Sequence, residues 1–564
     1  MAASSPAVKL FNQRLGKGLN LGNLLEAPSE GAWGVNLMRT DLDAIAAKKF
    51  QHVRAPIRWD GLGDDTDHTF QRALRTPPYT VDPRFFARVD SMVAWTRRNH
   101  LMLVLNDHHH DSLFQNFEHE APRFLAIWDQ IAAHFKDLPT DSVAFEILNE
   151  PNGQVTAERW NRLVESAIKL VRKTNPDRPV VVGTTDWGGP GGLAALTLPV
   201  DSNLILTVHD YDPKGFVYQG ASWIEPVMPV GVKWGGYWDL KQAIEGADAI
   251  AAYAKERDLP VYIGEFGTTY KSDKVSRGAW AATKARLFEE RGFSWAWWSY
   301  KEREMGLLRT ATIWDPTFLT ALFSTDTSIL ALGEPPKNDR DLIRNGSFAD
   351  TTGWKFVQLD RGAGRFRVDS GVAVTKVDSC PLKEGWEVEI CQVPLSLKAG
   401  NQYQLTFLAW SDSATTIDAW VGHGEDPWPM YASSGAIALE RSPKRFHTVF
   451  QVAEDDSMGE VCINMGVNPV TIRVDSVQLF EYALDVPVRA GSAKPGHAIR
   501  RVGTEIVSDG FRPKSEWLVD SRGCRVQRLE WKASARGWIA DVAKAPRGRL
   551  LFLDREAWKI VVGD

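Results

Sequence analysis

Two glutamates stand where apolar runs of this 564-residue chain turn polar. Phe145-Glu146-Ile147-Leu148 leads into Asn149-Glu150-Pro151, and Val261-Tyr262-Ile263-Gly264 leads into Glu265-Phe266-Gly267. Two carboxylates delivered from separate strands are what glycoside cleavage requires. One carboxyl protonates the leaving oxygen, and the other attacks the anomeric carbon as the anion. Unequal burial and unequal neighbouring charge separate two such groups in acidity. Either glutamate alone would serve as well to cap a helix; the pair with its neighbours favours chemistry. Arg54, in His52-Val53-Arg54-Ala55-Pro56-Ile57, offers a charge and a directed fork of donors to a carboxylate. His108-His109-His110 invites a metal reading, but adjacent strand residues point to opposite faces, so no metal is expected there. Singly, these residues also fit a salt bridge, core histidines or packing aromatics.

Elements must bring the two glutamates together. Short apolar runs at Leu101–Leu105, Val143–Leu148, Leu204–Val208, Val261–Gly264 and Phe293–Trp298 alternate with amphipathic stretches. Phe124, Ile127, Trp128, Ile131 and Phe135 share one helical face, as do Trp160, Leu163, Val164, Ala167, Ile168 and Val171. Thr156 suits the N-cap of the second helix, and Asn175-Pro176 ends it. Repeated strand–helix alternation implies a parallel sheet, and about eight units in some 300 residues suit a (β/α)8 TIM barrel, whose catalytic residues sit at the strand C-termini. A doubly wound sheet is the alternative that periodicity leaves open.

The motifs around the glutamates make a resemblance specific. Asn149-Glu150-Pro151 with Gly264-Glu265-Phe266-Gly267 resembles glycoside hydrolase family 5, over nearly all of residues 9–325. The resemblance implies a retaining enzyme with Glu150 as acid/base and Glu265 as nucleophile. Arg54, His108, Asn149, His209 and Tyr211 match its supporting residues, and His109 and Trp298 its substrate-binding ones. Asn149 would bond the sugar 2-hydroxyl, and Trp298 would floor the cleaved sugar. Gly18-Leu19-Asn20-Leu21-Gly22-Asn23-Leu24-Leu25-Glu26 and Lys233-Trp234-Gly235 are similar to bacterial endoglucanases and glucanase–mannanases of the family. By that likeness Asn23 and Glu26 would bind sugar hydroxyls and Trp234 would add an aromatic contact. Asp107, His110, Asn152, Asp210 and Ser299 depart from the usual pattern, which bears on glucan against mannan preference.

Gly333 to Arg340 reads as a linker that follows a barrel domain over 1–332. Beyond it, alternating runs such as Tyr403-Gln404-Leu405-Thr406-Phe407 predict a jelly-roll β-sandwich over 341–484. Asn345-Gly346-Ser347-Phe348 and Arg473-Val474-Asp475-Ser476-Val477 resemble the opening and closing of carbohydrate-binding modules, with Trp386, Trp410, Trp420, Trp428 and Tyr431 as candidate platforms. Residues 485–564 read as a small β-rich domain with more Lys and Arg than Asp and Glu; they resemble bacterial secretion or sorting domains. Of the four cysteines, Cys380 and Cys391 would close a short loop, or the thiols stay unpaired and buried.

The 23 tryptophans suit flat sugar-binding surfaces as well as cores. A net charge of −5 gives no reason to expect nucleic-acid or membrane-surface binding, and no apolar run approaches a membrane span. Met1-Ala2-Ala3-Ser4-Ser5-Pro6 lacks the basic and apolar parts of an export signal. Because a polymer substrate lies outside cells, a secreted, cell-surface or periplasmic bacterial enzyme whose signal has been removed is expected, with a cytosolic one as the alternative. The expectation is a monomeric endo-β-1,4-glucanase that needs no cofactor. A β-mannanase or mixed glucanase, mannanase and xyloglucanase is the second reading, and an inactive polysaccharide-binding barrel the third.

Overall fold

The computed structural model describes residues 3–61, 72–225, 227–310, 313–336 and 340–482, with eight further strands between Ile499 and Val562. Residues Met1–Pro487 form one compact unit and Val488–Asp564 a second.

Eight parallel strands close into a barrel: β1 (Lys17–Asn20), β2 (His52–Ala55), β3 (Met102–Asn106), β4 (Val143–Glu146), β5 (Val180–Val182), β6 (Leu204–His209), β7 (Val261–Phe266) and β8 (Ser294–Trp297). Every residue of β2 to β8 is buried. Helices cover one face of each strand and barrel side chains the other, so these strands read as continuous apolar runs without alternation. The helix Ala157–Thr174 buries Trp160, Leu163, Val164, Ala167, Ile168 and Val171, and the Thr156 side chain accepts from the Arg159 N–H at its start.

A helix over Pro6–Leu15 closes the opposite end of the barrel. Its Val8, Phe11 and Leu15 pack with Met102, Val104, Ala144, Val181, Ile205, Tyr262 and Ala296 in a separate apolar cluster. With that mouth plugged, the strand C-termini are the open end.

The second half of the unit is a β-sandwich. One sheet runs in the order Ala363–Asp369, Val372–Ser379, Thr471–Tyr482, Gln402–Ser411 and Lys444–Gln451. The other runs Met430–Ser433, Thr416–His423, Asp456–Asn464, Val388–Leu397 and Lys355–Gln358, with Ile437–Ala438 also paired to Thr416–His423. Alternation holds here as expected for sheets with one wet face: Ile417, Ala419 and Val421 are buried, while Asp418 and Trp420 are only half-buried.

The cysteine pairing differs from the sequence-based expectation. Cys391 bonds to Cys462, 71 residues away, and Cys380 is a buried free thiol. The two bonded residues face each other directly on adjacent antiparallel strands, with Cα atoms 4.2 Å apart. Strand register therefore decides the pair, and sequence proximity does not. Cys524 lies outside the described residues.

In the second unit, Ile499–Val502, Glu505–Ser508, Gly537–Asp541 and Lys532–Ser534 form one antiparallel sheet. Arg525–Arg528, Trp517–Asp520, Leu550–Leu553 and Lys559–Val562 form another. Among the described residues no helix is long and apolar enough to cross a membrane.

Candidate active site

Arg54 is the hub of the site. It sits in β2 with no solvent exposure. A guanidinium has five N–H donors, and each finds an acceptor here. Nε and Nη2 grip Glu146 at 2.7 and 2.7 Å, Nη1 reaches Glu265 at 2.6 Å and Asn20 at 2.9 Å, and Nη2 also reaches Asn149 at 2.7 Å. Burial opposes the charge, but Glu146 and Glu265 hold the guanidinium well above its ordinary value. Arg54 thus ties together β1, β2, β4 and β7.

Glu265, 4% exposed near the end of β7, receives Arg54 on Oε1 and the Tyr211 hydroxyl on Oε2 at 2.8 Å. Burial pushes the carboxyl upward, against the pull of His209 and Arg54. Burial and the Glu265 charge hold the Tyr211 hydroxyl protonated well above its usual range, so it donates. With both oxygens bonded to donors, Glu265 is arranged as a carboxylate.

The glycines around it are steric requirements. A Cβ on Gly264 would lie 2.7 Å from Thr207 Oγ1 and 3.0 Å from His209 Nε2, and one on Gly267 would lie 2.4 Å from the Trp298 carbonyl oxygen.

Glu150 follows β4 with φ of 44°, a left-handed backbone that costs a residue with a side chain about 1–3 kcal/mol. The Asn152 side chain donates to its carbonyl at 2.8 Å, and the preceding Asn149 N–H donates to Asp107 at 2.8 Å, which hold the turn. Its carboxyl meets His209 Nδ1 at 2.7 Å. Burial pulls His209 down, but Glu265 and Glu150 outweigh it and raise the imidazole above its ordinary value. Glu150 and Glu265 each present an oxygen within 4.8 Å of the other, with His209 inside the same cluster. Such an approach is compatible with the roughly 5–5.5 Å carboxyl separation of a double-displacement pair. By donor type the three groups would also suit a cation; the hydrogen bonds among them account for their approach.

The remaining predicted residues divide. Trp298 is half-buried and lies flat beside His108, ring centres 5.5 Å apart and planes 11° from parallel. Burial holds His108 well below its usual value and brings His109 to about 4, so both rings are neutral near pH 7. His109 meets the exposed Trp33 edge-on at 5.9 Å. His110 turns its Nδ1 to Asp107 at 2.8 Å, so the three adjacent rings do not share a centre. Asn23 is partly exposed, with φ of 64°.

Two expectations need correction. Glu26 has no exposure; its carboxylate accepts the backbone N–H of Asn23 and of Leu24, so it braces the loop where a sugar contact was expected. Trp234, 2% exposed, packs in the barrel's apolar core and presents no open stacking face.

Four residues were missed. Glu146 and Asn20 are the polar last residues of β4 and β1, and a fully buried charge at a strand's end is the signal that marks Glu146. Trp33 is the edge-on partner of His109. Trp187 is 63% exposed within Asp186-Trp187-Gly188, three consecutive left-handed residues. A Cβ on Gly188 would lie 3.4 Å from Glu150 Cγ, so the residue that follows Trp187 packs against the acid. Nothing in its polar, glycine-rich surroundings signals this.

The family-pattern departures are paired inside the fold. Asp107 bonds His110, and Asp210 bonds Lys284 at 2.8 Å through both oxygens. Each new charge arrives with its counter-charge.

Arg54→Met would strand two buried carboxylates. Loss of one partner of a buried pair costs about 3–5 kcal/mol. The expected result is an unfolding free energy lowered by that amount, read as a lower denaturation midpoint at unchanged m, with Arg54→Lys in between because it offers three donors in place of five. An unchanged midpoint would remove Arg54 as the hub.

Residues 16–304 match the family model for cellulase (glycosyl hydrolase family 5), and residues 340–471 match that for a carbohydrate binding domain. The crystal structure of endoglucanase Cel5A from the hyperthermophilic Thermotoga maritima is 40% identical, with a TM-score of 0.53, over 56% of this chain and 99% of that one. The Thermotoga maritima Cel5A complex with mannotriose is 39% identical, with a TM-score of 0.53, over 56% of this chain and 100% of that one. Endoglucanase H of Acetivibrio thermocellus is 33% identical over 338 residues, 58% of this chain and 35% of its own length. The chain spans a third to a half of the first curated relatives it matches, 35% of that one and 51% of Endoglucanase 3 of Fibrobacter succinogenes. The match to the hydrolase model runs from before β1 to beyond β8, and the chain belongs to glycosyl hydrolase family 5.

Proposed function

We propose that the protein is an endo-acting β-1,4-glucanase that retains anomeric configuration, with Glu265 as nucleophile and Glu150 as acid/base. The observation that carries this is the asymmetry of the pair: Arg54 and Tyr211 donate to Glu265, while among the described residues the Glu150 carboxyl bonds to His209 alone and is the more exposed of the two. Glu265 attacks the anomeric carbon as the bond to the leaving oxygen breaks, and the Glu150 proton passes to that oxygen. Water then attacks the glycosyl–enzyme ester, Glu150 takes the water's proton, and Glu265 leaves as the carboxylate. Asn149, whose Oδ1 is held by Arg54, keeps its amide donors for the sugar 2-hydroxyl, a bond that strengthens as charge develops. Trp298 floors the cleaved sugar, and Trp187, one residue before the Gly188 that packs against Glu150, offers a stacking face on the leaving-group side.

Glucan is the first substrate because the relatives are endoglucanases; the Thermotoga maritima enzyme's complexes with cellobiose and with mannotriose favour mixed glucan and mannan activity as the second reading. The sandwich is read as sugar-binding. Trp420 lies over Gly422, where a Cβ would come within 2.3 Å of the indole, so the ring is laid along the sheet, and Trp428 is 56% exposed nearby. A polymer substrate favours a secreted or surface location, and the protein is read as a monomer.

Product profiling on carboxymethyl-cellulose, mixed-linkage glucan, xyloglucan and mannan, with NMR of the first-formed anomer, tests the reading. We expect β-configured oligosaccharides from glucan. An inverted product, or mannan cleaved to the exclusion of glucan, would reject it.

A further inference from the structure

We propose that the β-sandwich is part of the active-site scaffold, and that Gln451 is a positioning residue that acts on the nucleophile through the loop between β6 and β7. This rests on the assignment of Glu265 as nucleophile.

Gln451 ends the strand Lys444–Gln451, and its cross-strand partner is Gln402. Both side chains reach the segment between β6 and β7. Gln451 Oε1 accepts the Lys233 backbone N–H at 2.9 Å, and its Nε2 donates to the Lys233 carbonyl at 2.5 Å. One amide side chain thereby grips both polar groups of one residue, as a neighbouring strand would. Gln402 Nε2 donates to Asp239 Oδ1 at 2.6 Å, while Asp239 Oδ2 accepts the N–H groups of Gly235 and Gly236 at 2.9 and 3.0 Å. Gln402, Gln451 and Asp239 are 2, 7 and 5% exposed. Buried polar groups demand their partners, so these contacts select one docking of the two domains. A domain that only tethered substrate would have no need of them.

The held segment connects to the carboxylates. Gln219, fully buried, accepts the Gly231 N–H at 2.9 Å and donates to the carbonyls of Val232 at 3.1 Å and Phe216 at 2.8 Å. Its neighbour Tyr218 packs on Tyr211, ring centres 5.4 Å apart, and Tyr211 donates to Glu265. Contact is continuous from the sandwich to the nucleophile. Physical continuity supplies a route, and coupling along it is what the experiment measures.

The test uses the full-length chain carrying Gln451→Leu, with Gln402→Leu as an independent second variant. The substrate is an aryl β-cellobioside, too short to reach the sandwich. A fluorinated cellobioside that traps the glycosyl–enzyme counts competent sites. We expect kcat per competent site to fall about three- to tenfold with KM changed less, below the roughly hundredfold loss that a misplacement of about 1 Å brings. Hydrogen exchange at the Lys233 amide should accelerate in Gln451→Leu. His447→Ala breaks only the solvent-exposed bridge to Glu245, 3.1 Å at the rim of the same interface, and should leave kcat unchanged. Equal kcat in parent and both glutamine variants, or slower folding with normal turnover per site, overturns the proposal. A parent inactive on every glycoside would instead reject the assignment of the carboxylates, and the exchange measurement would still report whether Gln451 holds the loop.

Discussion

Glu265→Ala is expected to lower kcat on aryl β-cellobiosides about 10⁴–10⁶-fold, the range seen when a covalent nucleophile is removed. Without Glu265 no glycosyl–enzyme forms, yet Glu150 still stands beside the leaving oxygen. Azide fits the vacated space and attacks from the side that Glu265 used. With an activated leaving group the product should be the α-glycosyl azide, detectable by NMR. Arg54 keeps Glu146, Asn20 and Asn149 in this variant, so the barrel should remain folded by circular dichroism. Residual turnover above about 1% of the parent, or a β-glycosyl azide, would assign the nucleophile elsewhere.

Glu150→Ala should behave differently on every count. Removal of a general acid costs about 10²–10⁴-fold where the leaving group needs a proton. Cellotetraose should therefore lose activity to that extent, whereas a dinitrophenyl cellobioside, whose phenolate leaves unaided, should still load Glu265. Its slow step then becomes release of the glycosyl–enzyme, because no base activates water. A burst of phenolate should appear, and azide should restore turnover and give the β-glycosyl azide by two successive displacements. Equal loss on both substrates, with no burst and no azide effect, would void the acid/base role. The two azide products have opposite configuration, so together the variants assign both carboxylates without dependence on pH profiles.

Much of this site was legible in the chain. Buried parallel strands are apolar along their whole length, so a polar residue that ends one stands out. Glu150 and Glu265 stood out in that way, Arg54, His209 and Tyr211 were named through the resemblance to glycoside hydrolase family 5, and the helix faces around Trp128 and Trp160 followed from their spacing. Local signals of this kind survive because burial acts on each residue in its own element.

Other features were set only by distant parts of the chain meeting. Glu26 looked like a sugar ligand until its loop wrapped back and spent the carboxylate on backbone N–H groups. Trp234 looked like a platform until core packing covered it. The Cys391–Cys462 bond depends on strands 71 residues apart lying in register. The left-handed run Asp186-Trp187-Gly188, which brings Gly188 against Glu150, is encoded by no periodicity. Asp107 and Asp210 read as unexplained departures because their partners, His110 and Lys284, have meaning only once helices and strands are packed. Sequence by itself determined the apolar faces of strands and helices, which strands alternate with which helices, and where the two carboxylates emerge. Tertiary structure decided which polar groups remain open to a ligand, since a hydrogen-bonding side chain is available only if nothing else in the fold has already satisfied it.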